Sequence, residues 1–186
     1  MRIAFALLLS LCVFFVTAQN TLNETIRQQM IKDWERAKAY TREYLDAMPA
    51  EKYGFHAADS IRTFAEQMLH LAQANAGMAF FGTSVQNPVA QKMFFKPNFE
   101  KQPTVQSKDS VAYYVTTSYD VMIDALKTMD FSKIEEVVTQ NLPGGTRTAP
   151  RLAWLLKAFE HQTHHRGQCT IYLRLAGIRP PAEKLW

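Results

Sequence analysis

Apolar residues along this chain recur at helical spacing in four long stretches, and none of the four shows the sustained alternation of a half-buried strand. The first runs from about Asn23 to Met48. Ile26, Met30, Ala37, Thr41, Tyr44 and Met48 share one face, with Trp34 on its shoulder, and Pro49 stops it. The second starts near Asp59-Ser60, either of which could cap free N–H groups, and carries Phe64, Met68, Leu71, Ala74, Met78 and Phe81 to Gly82. From Thr83 to Gln106 the period is lost and Pro88, Pro97 and Pro103 enter, which predicts a long irregular connection. A third helix begins at Ser107 or Asp109 and buries Val111, Val115, Ser118, Met122, Ala125 and Met129. Asp130 to Pro150 is a second crossover, with one short element at Ile134–Val138 and a turn at Leu142-Pro143-Gly144-Gly145. Pro150 opens the fourth helix, Arg151 to Ala176; Gly177 ends it and Pro180-Pro181 keep it from resuming. The pattern predicts an all-α, four-helix bundle with long crossover connections.

The N-terminus breaks this pattern. Met1-Arg2 precedes an apolar run from Ile3 to Val16, interrupted only by Ser10, and then Thr17-Ala18-Gln19. A basic start, a run of this length and a Val-x-Ala site predict a signal peptide, residues 1–18, cleaved after Ala18 to leave one domain at 19–186 and a periplasmic or secreted protein. A retained membrane anchor is the alternative, though the run is too short for a stable span. Cys12 would leave with the leader, so Cys169 stands alone; no internal disulfide is available, and its position suits a small core residue. Composition is globular, 47% hydrophobic and 20% charged, with a net charge of +4 that falls by one when Arg2 is removed. Basic residues are interspersed with acids and form no dense patch, which argues against a nucleic-acid partner. No Gly-rich phosphate loop, nucleophile elbow or Cys-x-x-Cys occurs, and Asn23-Glu24-Thr25 matches a glycosylation sequon by coincidence.

Chemistry concentrates on the fourth helix. At 100° per residue, with His161 as zero, Trp154 and Tyr172 fall at about 20°, His165 at about 40°, Ala158 at about 60°, Gln168 at about −20° and Leu175 at about −40°. The expected inward stripe is thus interrupted by two histidines and a glutamine, and buried polar side chains need partners. His161 and His165, spaced i, i+4, can turn both rings to one ion. His70, at the edge of the second helix's apolar face with the small Ala74 and Gly77 beside it, is the leading third ligand. Core histidines satisfied by backbone carbonyls or by Tyr172 are the plain alternative. His164, at about −60°, could replace His165 in an i, i+3 pair but lies farther from the stripe centre. His56 falls in a loop.

The run AFEHQTHHRGQCTIYLRLAGIRPP resembles the fourth-helix signature of the DinB-like family, a His-x-x-x-His-x-Gly-Gln pattern followed by Tyr-Leu-Arg, a Gly stop and a Pro-Pro exit. SIRTFAEQMLHLAQAN resembles the same family's second helix, with its lone mid-helix histidine. The resemblance implies that His70, His161 and His165 bind one divalent metal in a cleft of the bundle, that remaining coordination positions face water or substrate, and that a homodimer is available. His164 matches no ligand position. The fold also underlies thiol-dependent S-transferases and isomerases.

Three neutral imidazoles leave a coordination position open, as catalytic sites do. The first reading is therefore a metal-dependent hydrolase or transferase acting on a small molecule, with Gln168 and Tyr172 as orienting or substrate-contacting groups and Glu66 as a partner for the His70 ring N–H. A metal-stabilised binding or scaffold protein without turnover, or a thiol-dependent S-transferase, are the alternatives. Imidazole does not select one ion; Zn and Ni come first, with Fe, Mn and Cu also open.

Overall fold

The computed structural model describes the backbone of residues 2–142 and 144–186, and side chains from residue 19 onward. The expected leader, residues 1–18, lies outside the described side chains, and Pro143 of the expected turn lies outside the described residues. Four long helices, α1 (Arg2–Ala47), α2 (Phe64–Thr83), α4 (Lys108–Thr128) and α5 (Arg151–Leu175), make the bundle. A short α3 (Pro88–Phe94) and a hairpin of β1 (Val137–Leu142) and β2 (Gly145–Pro150) sit on the two crossovers. Helix α2 is the central member and packs along both α4 and α5, while α1 closes the bundle mainly against α4. Among the described residues, no helix is long and apolar enough to cross a membrane.

The expected faces meet in one core. Trp34, Phe64, Met68, Leu69, Tyr119, Met122, Leu126 and Leu155 are fully buried, each apolar side chain contributing about 1.5–3 kcal/mol on leaving water. Trp34 is gripped edge-on by Tyr119 and Phe159, with ring centroids 5.6 and 5.5 Å away. Asn23 of the sequon is itself buried.

The departures from expectation have local causes. Helix α2 starts at Phe64 rather than near Asp59-Ser60, because Thr63 and Glu66 form a reciprocal capping box: the Thr63 hydroxyl accepts from Glu66 N, and the Glu66 carboxylate accepts from Thr63 N. The connection after α2 is less irregular than its prolines suggest. Asn87 caps α3, with Pro88 in its first turn, and 3₁₀ turns follow at Phe99–Lys101 and Pro103–Val105. Gly77 does not make room for His70. A Cβ there would fall 2.2 Å from the Phe94 ring, so the glycine lets α3 lie down on α2. Where one short element was expected at Ile134–Val138, the chain forms the antiparallel hairpin, registered Val137↔Pro150 to Leu142↔Gly145 and turned by Gly145 at φ 106°. Its strands are short and mostly exposed, so no buried face printed a period on the sequence.

The α5 stripe is also rotated. Trp154, Leu155, Ala158, Gln162, His165, Arg166, Cys169, Tyr172 and Leu173 are buried, whereas Gln168 and Leu175 are exposed. The buried centre therefore lies near Cys169, at about 80° on the wheel used above. The buried glutamine is Gln162, and the histidines stand at the edge of the stripe facing a cleft.

Candidate metal centre

His70 from the middle of α2 meets His161 and His165 from the middle of α5. One ring nitrogen from each lies within 4.8 Å of the others, so the three could hold one metal ion. The ring centroids are 4.2 Å apart for His161 and His165, 4.6 Å for His70 and His165, and 5.3 Å for His70 and His161. Nε2 of His161 and Nε2 of His165 are 3.0 Å apart, close to the ~3.4 Å between two nitrogens on one tetrahedral ion at 2.0–2.1 Å. His164 is exposed, its ring turned edge-on to His165, and is not in the cluster. His56 is exposed and lies outside it too.

The cluster's chemistry suits a cation. Burial first, and then the charge its neighbours would carry, press the His161 imidazole down to about 4 and that of His165 to about 3. Both rings are therefore neutral near pH 7 and offer lone pairs, as ligation requires. Nδ1 of His161 is buried without a hydrogen-bond partner among the described residues. Two neutral rings whose Nε2 atoms face each other, with a third ring beside them, fit a site completed by an ion.

Two of the rings are held from behind by groups that the sequence reading missed. Glu100, buried on the long crossover, places Oε2 2.8 Å from His70 Nδ1 and accepts at Oε1 from Arg62 Nε at 2.8 Å. Burial pushes its carboxyl up, but the hydrogen bonds with His70 and Arg62 outweigh this and hold it below the usual range. The partner expected for His70 was Glu66, which is committed to the capping box instead. Gln67, one helical turn before His70 and also buried, sets its amide 2.8 Å from His165 Nδ1. A half-turn of that amide, together with that of Gln168 to which it is bonded, puts the Gln67 carbonyl against an Nδ1–H and leaves Nε2 of His165 free to ligate.

Next to the cluster lies an open cavity of about 800 Å³, whose wall includes His165, Arg62, Glu100, Lys101, Gln168 and Tyr172. Gln168 lines the mouth, joined to Gln67 on one side and to His164 Nε2 on the other at 3.0 Å. Tyr172 spends its hydroxyl on Arg62 O at 2.7 Å, so it anchors the segment that carries Arg62. Cys169 is fully buried, burial pushes its thiol up, and it lies outside the cluster.

The arrangement is that of a helical bundle with a candidate metal site beside an open cavity. Residues 18–185 match the model of the DinB family, and the chain belongs to that family. Among solved structures, a DinB-like protein from Bacillus cereus is similar at TM-score 0.66 and 22% identity, covering 84% of this chain and 97% of that one. A DinB family protein from Exiguobacterium sibiricum gives 0.60 and 21%, covering 86% and 97%. The mycothiol-dependent maleylpyruvate isomerase shares the fold at TM-score 0.56 and 12% identity, covering 80% of this chain and 66% of that one. At these identities the likeness shows the fold alone. No protein of curated function matches the sequence.

Proposed function

We propose that this DinB family member binds one divalent metal through His70, His161 and His165 and acts as a metal-dependent hydrolase or transferase on a small molecule. The observation that carries the reading is the convergence of three ring nitrogens within 4.8 Å, beside a cavity of about 800 Å³. A cavity of that size suits a small ligand. The bound ion would supply Lewis acidity to a group entering through the cavity. The chain supplies the rest. Glu100 orients His70 and, with Arg62, balances charge behind it; Gln67 orients His165; Gln168 at the mouth contacts what enters. Zn and Ni suit three imidazoles. We further propose that the chain acts outside the cytoplasm, beginning at Gln19, and that it forms a homodimer.

A second reading, a thiol-dependent transferase, is favoured by the shared fold of the mycothiol-dependent isomerase. Elemental analysis of protein purified without chelators should give one ion per chain. Activity on a panel of esters, lactones and amides, and on electrophiles with added thiol, should fall when the ion is stripped and return when it is restored. Protein without metal that a chelator leaves unchanged in stability would overturn both readings.

A further inference from the structure

A second cavity, of about 560 Å³, opens on the other side of α5 from the histidines, between α5, α1 and the C-terminal segment 177–186. That segment is a fixed wall. Arg36 Nη1 donates to Lys184 O at 2.8 Å, Lys184 Nζ pairs with Glu43, and Ile178 N donates to Leu173 O at 2.8 Å. The charge inside is unbalanced: Arg166, Arg174 and Arg179 line the cavity against a single acid, Glu183.

Arg166 is the most informative of these residues. It is only 5% exposed, yet among the described residues no carboxylate lies within 4.0 Å of it. Nη1 donates to Gln162 Oε1 at 2.7 Å and weakly to Thr41 Oγ1 at 3.4 Å, and the guanidinium lies 4.7 Å from the centre of the Tyr40 ring. Its Nε and Nη2 have no acceptor among the described residues and are not sealed from solvent, and the residue lines the cavity. A guanidinium fixed on one side by Gln162 and Tyr40, with donors left free on the other, is preorganised for an anion. Arg174 and Arg179, both exposed, likewise make no ion pair among the described residues. Arg166, Thr170 and Arg174 follow one another at i, i+4 and i+8, which aligns them along one face of α5. Beside them Gly167 leaves the floor open, with nothing within 4 Å of where a Cβ would stand. Tyr44 OH, 2.9 Å from Thr170 Oγ1, adds a hydroxyl pair at the edge.

We propose that this cavity is a second ligand site, which takes a small dianion with its head on Arg166, Arg174 and Arg179 and its apolar body against Tyr40 and Tyr44. Arginine forks match phosphate, phosphonate and carboxylate oxygens in pairs, and the volume suits a small metabolite. The site does not depend on the metal or on the proposed reaction.

Isothermal titration of the full chain with phenylphosphonate and with succinate, at constant ionic strength, tests the proposal. At least one should bind, and the pair separates a phosphorus-centred head from a dicarboxylate. Arg174→Ala and Arg179→Ala, both at exposed positions, should each weaken binding about tenfold, and Arg166→Gln should abolish it. Arg62→Ala, in the histidine cleft, should leave it unchanged. If neither probe binds, or if binding survives all three cavity substitutions whatever Arg62→Ala does, the proposal is overturned.

Discussion

His161 and Gln162 are neighbours on α5, yet they belong to two polar seams that differ in kind. On the Gln162 side every group that meets Gln162 is paired, and only the far nitrogens of Arg166, which lie outside the core, are left over. Thr41 and Tyr119 share a hydroxyl contact at 2.7 Å, Tyr119 OH donates to Gln162 Oε1 at 2.9 Å, Arg166 Nη1 donates to the same oxygen, and Gln162 Nε2 donates to Phe159 O at 3.0 Å. On the His161 side the rings contact one another and one nitrogen finds no partner. A satisfied buried network specifies the packing of α1, α4 and α5. An unsatisfied one is an inefficient way to hold a core together and a suitable way to hold an ion. The difference separates polar residues that build the bundle from polar residues that the bundle positions.

The sharpest way to break this comparison is to truncate each seam. His70→Ala, His161→Ala and His165→Ala should each lower metal affinity more than a hundredfold, while His164→Ala and His56→Ala leave it within about twofold; titration with a chromophoric competitor measures this. Loss of the ion in His164→Ala and its retention in His165→Ala would reverse the assignment of the α5 face. Gln162→Ala should do the opposite. It strands Tyr119 and the buried Arg166 at a cost of about 3 kcal/mol, a fall of about 6–12 °C in melting temperature, with metal still bound by the folded protein.

Smaller effects sharpen the contrast. Glu100→Gln keeps the shape of the group behind His70 but removes its charge, and should weaken metal binding about tenfold, read by the same competition. Acid should weaken the metal-free protein first through the histidine seam, before the carboxylates begin to take up protons. His161 and His165 are held neutral in the fold at about 4 and about 3, below the ~6.5 of the unfolded chain. Between those values the unfolded state binds more protons, so the stability is complete above about pH 6.5 and is lost as pH falls towards 4 and 3. Thermal melts of chelated protein from pH 7.5 to 4 should show this slope, and His161→Asn should flatten it. An equal slope in that variant would place the proton uptake elsewhere.

The four long helices and the three histidines were legible because each is local: a 3.6-residue period, an i, i+4 pair, a lone histidine in mid-helix. The rotation of α5 was not, because the wheel discounts polar residues and the true buried face carries Gln162 and Arg166. Glu66 was a plausible partner for His70 by spacing, but the cap at Thr63 claimed it first. Glu100 reaches His70 across 30 residues from a segment with no period. The one available signal was that Glu100 is the single carboxylate between Thr83 and Gln106, set among Lys92, Lys96 and Lys101. The hairpin left no trace because it buries almost nothing.

The place of Glu100 makes the three histidines unequal as mechanical parts. His161 and His165 rise from the same helix; Nδ1 of His161 holds no other segment, and that of His165 meets only Gln67 of α2. His70 is different: one face of its ring looks to α5, and its Nδ1 is tied to the crossover, where Gln106 Nε2 in turn donates to Glu100 O at 3.0 Å. The ring works as a rivet through three layers of chain. Cutting it should loosen residues 98–106 whether or not an ion is present, so that backbone amides there exchange faster in His70→Ala than in His161→Ala.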